Sequence, residues 1–135
     1  MRTGGPNPEV ELSEPAALPL SRLYDSAYAS RIVDLEIARV INRYRLQGQY
    51  DDQAVATLFS EAKKLMRSIA RKGITEQVLV TAARSMSITL GSLDAIHLAT
   101  AIELGRDLDE PITVLTHDLR LAQASRAHGL DVIGA

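Results

Sequence analysis

Cysteine is absent from the 135 residues, and so is tryptophan. Without cysteine there is no disulfide framework, no thiolate nucleophile and no cysteine-based zinc site. No apolar run approaches the roughly 18 residues that cross a bilayer. The opening Met1-Arg2-Thr3-Gly4-Gly5-Pro6 has no apolar core of a secretory signal. A soluble chain of the reducing cytoplasm, with no membrane partner, is the expectation. Missing too are a glycine-rich phosphate loop, a GxSxG elbow and an HExxH pair, which sets aside three common catalytic plans.

What is present is an ordinary globular composition, 46% apolar and 24% charged, with a mean hydropathy of −0.01. That length can bury one continuous core. The net charge of −2 gives no global reason to bind a polyanion. Its distribution is uneven: Arg22 to Arg84 holds 11 Lys/Arg against 7 Asp/Glu, and Ser85 to Ala135 holds 3 against 7. A solvated helix face and a backbone-binding surface beside an acidic pocket are both compatible with that split.

Residues 1–15 hold two glycines, three of the five prolines and three glutamates. They read as an extended, poorly ordered tail before one domain over 16–135. Leu18, Leu20, Leu23 and Tyr24 suit a short amphipathic turn. A brief extended stretch at Tyr28 to Ser30 then precedes a helix from Ile32 to Leu46, with Val33, Ile37, Val40, Ile41 and Tyr44 on one stripe and Gly48 ending it. Asp51 or Asp52 caps a second helix, buried through Val55, Leu58, Phe59, Ala62, Leu65, Met66 and Ile69. Periodicity carries this helix to Lys72, where Gly73 stops it. Thr75 caps a third helix, Glu76 to Met86. Ser92 caps a fourth, Leu93 to Gly105, whose apolar residues on nearly every side predict a central position. Ile112 to Leu115 reads as a strand covered on both faces, Leu119 to His128 as a helix, and Asp131 to Ile133 as a last strand. The ending is a βαβ unit, so the class is α/β with a small parallel sheet.

In such a sheet, ligands sit beyond the carboxyl ends of the strands. The strand at Ile112 delivers Thr116, His117 and Asp118 to that rim, which makes Thr116 and His117 candidate substrate contacts, although His117 can equally face water. Asp118 is either a rim carboxylate or a cap for the helix that follows. Asp94 lies in the first turn of an apolar helix, where the helix dipole contributes only about 0.3–1 kcal/mol toward holding a carboxylate. Glu36 flanks the apolar stripe of its helix, within reach of Arg39 for a surface ion pair. Three carboxylates with no thiolate suit a hard cation, Mg²⁺ or Mn²⁺. His97 reads more readily as a core histidine than as a ligand.

These residues carry a resemblance. Leu93-Asp94-Ala95-Ile96-His97-Leu98-Ala99-Thr100-Ala101 resembles the "LDAxHLAxA" helix of PIN-domain toxins. Leu115-Thr116-His117-Asp118 with Leu119-Arg120-Leu121-Ala122 and Ala127-His128-Gly129-Leu130 is similar to their "TxDxxLxxAAxxxG" ending, and Ser30 to Val40 to the helix bearing their glutamate. The match covers about 28–135, most specifically the last 45 residues. It implies a PIN-like fold of VapC type, with Glu36, Asp94 and Asp118 as catalytic and metal-site acids around Mg²⁺ or Mn²⁺. It implies RNA as substrate, a VapB-like antitoxin as partner, a homodimer, and a short strand near Met66 to Ala70 where periodicity reads helix. The family's opening strand, of pattern "hxxDTSxL", has no counterpart before Glu36. Val10-Glu11-Leu12-Ser13-Glu14 is the nearest imitation, with serine where the aspartate belongs. The expectation is a PIN-like domain lacking the strand that carries the first acid. Its ribonuclease activity is then weak or absent, the alternative being an inactive scaffold that still binds an antitoxin.

Overall fold

A computed structural model of the chain describes Arg2–Thr3 and residues 26–135, apart from Ser85 and Ser87. The turn expected around Leu18 to Tyr24 and the tail beyond Thr3 fall outside the described residues. In chain order the elements are β1 (Arg2–Thr3), β2 (Ser26–Ser30), α1 (Val33–Leu46), α2 (Asp52–Arg67), β3 (Ala70–Lys72), α3 (Glu76–Ala83), α4 (Ser92–Leu108), β4 (Ile112–Leu115), α5 (Leu119–Ala127) and β5 (Asp131–Ile133).

Local chemistry accounts for most of these boundaries. Asp51 caps α2 by accepting from the Ala54 amide, and Thr75 caps α3 by accepting from Val78. Gly48, at a φ of 72°, takes the left-handed turn that follows α1. Two expectations are corrected. Gly91, not Ser92, is the residue before the first turn of α4, and it makes no side-chain cap bond. The second helix stops at Arg67 rather than running on to Lys72. Ala70–Lys72 leaves the helix because it pairs in parallel with Tyr28, Ala29 and Ser30 of β2, a tertiary ladder that outweighs local periodicity.

The sheet has the order β3-β2-β1-β4-β5. β2 pairs in parallel with β3, and β4 in parallel with β5. β1 is antiparallel to both of its neighbours, so β2 and β4 run the same way. All four longer strands therefore end at one edge. β1 reaches only Ser26 and Ala27 on one side and Ile112 and Thr113 on the other. It brings an arginine and a threonine to the middle of the sheet and no acid.

α4 is the hub, packed against α3, α5, β2 and β4, as its apolar character predicts. Ala101 and Leu104 close over Ile112 and Val114, while Leu98 meets Leu121 and Ala124. One buried charge interrupts this core: Glu103, 5% exposed, accepts from the Thr81 hydroxyl at 2.6 Å and from Arg106 at 2.7 Å. Those partners offset the cost of burying a carboxylate.

α1 and α2 behave differently. They pack mainly on each other, forming a hairpin at the side of the hub. Much of the expected stripe stays open, with Phe59 40% and Leu65 53% exposed. Arg71 of β3 pins the hairpin's root. Its guanidinium donates to both Asp34 oxygens, at 2.9 and 3.3 Å, and to the Met66 and Ile69 carbonyls. This hydrogen-bonded cation beside Asp34 holds its carboxyl below the usual range.

Candidate active site

The common edge of β2 and β4 opens into a cavity of about 300 Å³. Three elements feed it. The end of β2 turns at the buried Ser30, whose Oγ accepts from the Ile32 amide, and α1 then presents Glu36. The first turns of α4 present Asp94 and His97. The end of β4 presents Thr116 and Asp118. The walls are apolar: Ala29, Val33, Leu98, Val114, Leu115 and Leu121. Ala29 of β2 and Val114 and Leu115 of β4 lie beyond the positions that pair with β1.

Glu36, Asp94 and Asp118 thus meet in one cavity, although 82 positions separate the first from the last in the 135-residue chain. Their mutual influence is visible at Asp94, whose carboxyl is pushed above its ordinary value. Burial is the main cause, the nearby Asp118 and Glu36 charges add to it, and His97 partly opposes them. Among the described residues, no ion pair neutralises Asp94 or Asp118. Nor do three acidic or histidine side chains of the described residues stand in a ready-made metal cage. The acids share a space and repel one another across it.

Each of the other expected residues has a definite place. Asp118 does cap α5, Oδ1 accepting from the Leu121 amide at 2.8 Å, and it lines the cavity as well. The two readings of this residue are compatible, because a carboxylate has a second oxygen. Thr116 Oγ1 accepts from the Asp118 amide at 3.0 Å, fixing the turn that carries the acid. His117 stands outside the cavity lining, with Nδ1 donating to the Gly134 carbonyl at 2.8 Å. Gly134 has a φ of 108°, and a Cβ there would lie 2.5 Å from the Thr116 carbonyl oxygen, so only glycine lets the C-terminal strand close on this turn.

The ion pair anticipated between Glu36 and Arg39 does not form. Glu36 Oε1 instead accepts from His97 Nε2 at 2.6 Å. His97 is therefore a cavity residue and not a core one. The sequence carried one usable signal for this: His97 lies three positions after Asp94, one helical turn along the same face.

A larger hollow of about 740 Å³ lies between α1 and α2, lined by Ile37, Phe59, Met66 and basic residues. Its one acid, Asp34, is already neutralised by Arg71. The carboxylate chemistry belongs to the smaller cavity.

Comparison with known proteins identifies the family. The family pattern described as PIN domain matches residues 10–127. A curated relative, Ribonuclease VapC47 of Mycobacterium tuberculosis (strain CDC 1551 / Oshkosh), is 32% identical over 105 residues, 78% of this chain and 68% of the relative. No solved structure matches the chain. With five helices around short parallel strands, and three acids gathered at the edge where those strands end, the chain belongs to the PIN-domain family as a VapC-like member.

Proposed function

We propose that the chain is a divalent-cation-dependent ribonuclease of VapC type, with Glu36, Asp94 and Asp118 as its cation-holding and catalytic acids. One observation carries the reading: the three carboxylates share one cavity, where burial first, and the Asp118 and Glu36 charges after it, push the Asp94 carboxyl above its ordinary value. Carboxylates around a small space, of which Asp94 and Asp118 have no ion-pair partner among the described residues, fit a hard cation. Mg²⁺ and Mn²⁺ both suit all-oxygen donors. Bound there, such an ion lowers the pKa of a water and stabilises charge on a phosphate.

The remaining steps fall to the chain itself. Asp94 and Asp118 would hold the ion directly. Asp118 Oδ1 is engaged by the Leu121 amide, which orients its other oxygen. Glu36, held through Oε1, keeps Oε2 for the ion or for a water. Thr116 uses Oγ1 as an acceptor toward Asp118 and retains a hydroxyl proton to donate to a phosphate oxygen. His117, exposed at the rim, contacts the RNA backbone.

Hydrolysis of a single-stranded RNA in Mn²⁺ tests the proposal, run on the wild type and on Asp94→Asn. Cleavage should be weak, because β1 brings no fourth carboxylate between β2 and β4, and Asp94→Asn should remove at least about 90% of it. Robust cleavage indifferent to the substitution contradicts the proposal. A second reading draws on the lack of a fourth cavity acid among the described residues and on the open apolar face of α1 and α2: a scaffold without catalysis that pairs with a VapB-like antitoxin. Copurification of a small DNA-binding protein, with no cation-stimulated cleavage, is the result that reading expects.

A further inference from the structure

Glu36 belongs to a different part of the molecule from its two fellow acids. It rides on α1, which packs mainly on α2, while Asp94 lies on the hub helix and Asp118 follows a core strand. The Arg71 clamp grips α1 at Asp34, two residues before Glu36 and therefore about 200° away around the helix. That clamp steadies the far flank of α1 and leaves the cavity flank to another contact. The contact is His97, whose Nε2 donates to Glu36 Oε1 at 2.6 Å across a sequence separation of 61 residues. Its side chain is 22% exposed and stands one turn from Asp94 on the same helix.

We propose that His97 is a positioning residue, which fixes Glu36 relative to Asp94 and Asp118 and so sets how tightly the cavity takes a divalent cation. This rests on the reading of the cavity as a cation site. The role is to orient, not to ligate: the nitrogen facing the acids is already committed to Glu36. A histidine one helical turn from a hub carboxylate reaches across to the acid on α1 and ties it to the hub. Partners that orient a ligand in this way commonly govern affinity by about 10–100-fold.

Calorimetric titration with Mn²⁺ tests the proposal on the full chain, using His97→Ala, His97→Gln, Glu36→Gln and the double variant His97→Ala/Glu36→Gln. His97→Ala should weaken Mn²⁺ binding by about tenfold or more, and His97→Gln, whose amide still donates from nearly the same place, should recover most of it. In the Glu36→Gln background His97→Ala should add nothing, because the residue it positions has lost its charge. Wild-type affinity in His97→Ala overturns the proposal, and so does an equal loss in both backgrounds, which would make His97 a ligand in its own right. A second arm needs no cation: with EDTA present, amide exchange over residues 33–38 should be faster in His97→Ala than in the wild type. Unchanged exchange also overturns the tether. Should the wild type take up no Mn²⁺, the cation-site reading falls, and the exchange arm still judges His97.

Discussion

Asp94 shows how a residue that is unfavourable for the fold can still fit the proposed site. Its carboxyl is raised by burial first and by Asp118 and Glu36 next. The folded chain therefore keeps the Asp94 proton to a higher pH than the unfolded chain does. In the window between the two values the native state binds more protons, so stability falls as pH rises through it. Without cation, Asp94→Asn should raise the melting temperature at neutral pH by roughly 2–4 °C, a gain that shrinks as pH drops into the ordinary carboxylate range. A calorimetric scan in EDTA at two pH values checks this. A lower melting temperature at neutral pH would mean that the carboxylate is not under repulsion. Asp118 was legible as both cap and rim acid, because a strand end and a helix start coincide there. His97 was not, since its helix is apolar nearly all round and nothing local shows that the imidazole tip meets Glu36.

Among the elements, α4 was the most readable, because a helix apolar on several sides has few places to go but the centre. Periodicity overran the end of α2, where the family resemblance implied a short strand, for a physical reason. Ile69 continues the helical stripe in the sequence, yet the chain gains more by turning at Ser68 and laying Ala70–Lys72 beside β2. Such a choice is decided by a partner strand some 40 residues earlier, beyond the reach of local pattern. The α3–α4 contact, the most extensive between two helices, holds the buried Glu103 with Thr81 as donor. Thr81→Val should leave that acid short of one partner and destabilise the chain by about 1–3 kcal/mol, whereas Thr81→Ser should keep most of the stability. Urea unfolding of the two variants separates the hydroxyl from the methyl. Equal losses would assign the effect to packing.

On the scale of the whole molecule, the structure divides into a packed hub and a lightly attached hairpin. The hub comprises α3, α4, α5 and the sheet, and α1 with α2 lean chiefly on each other. Segments with few buried apolar contacts open more readily than the global fold. Native-state amide exchange should therefore show residues 33–46 and 52–67 exchanging at least about tenfold faster than the middle of α4. Uniform protection would contradict the division. The hairpin carries one of the cavity's three acids and the hub carries two, so the cavity is assembled across this boundary.

The claim on which the account depends is that the three acids act together on one cation. Titration with Mn²⁺, followed by its electron paramagnetic resonance signal, addresses it in the wild type and in Glu36→Gln, Asp94→Asn and Asp118→Asn. Saturable binding is expected of the wild type, weakened about tenfold or more by each substitution. Binding that survives all three substitutions unchanged, or a wild type that takes up no Mn²⁺, would contradict it.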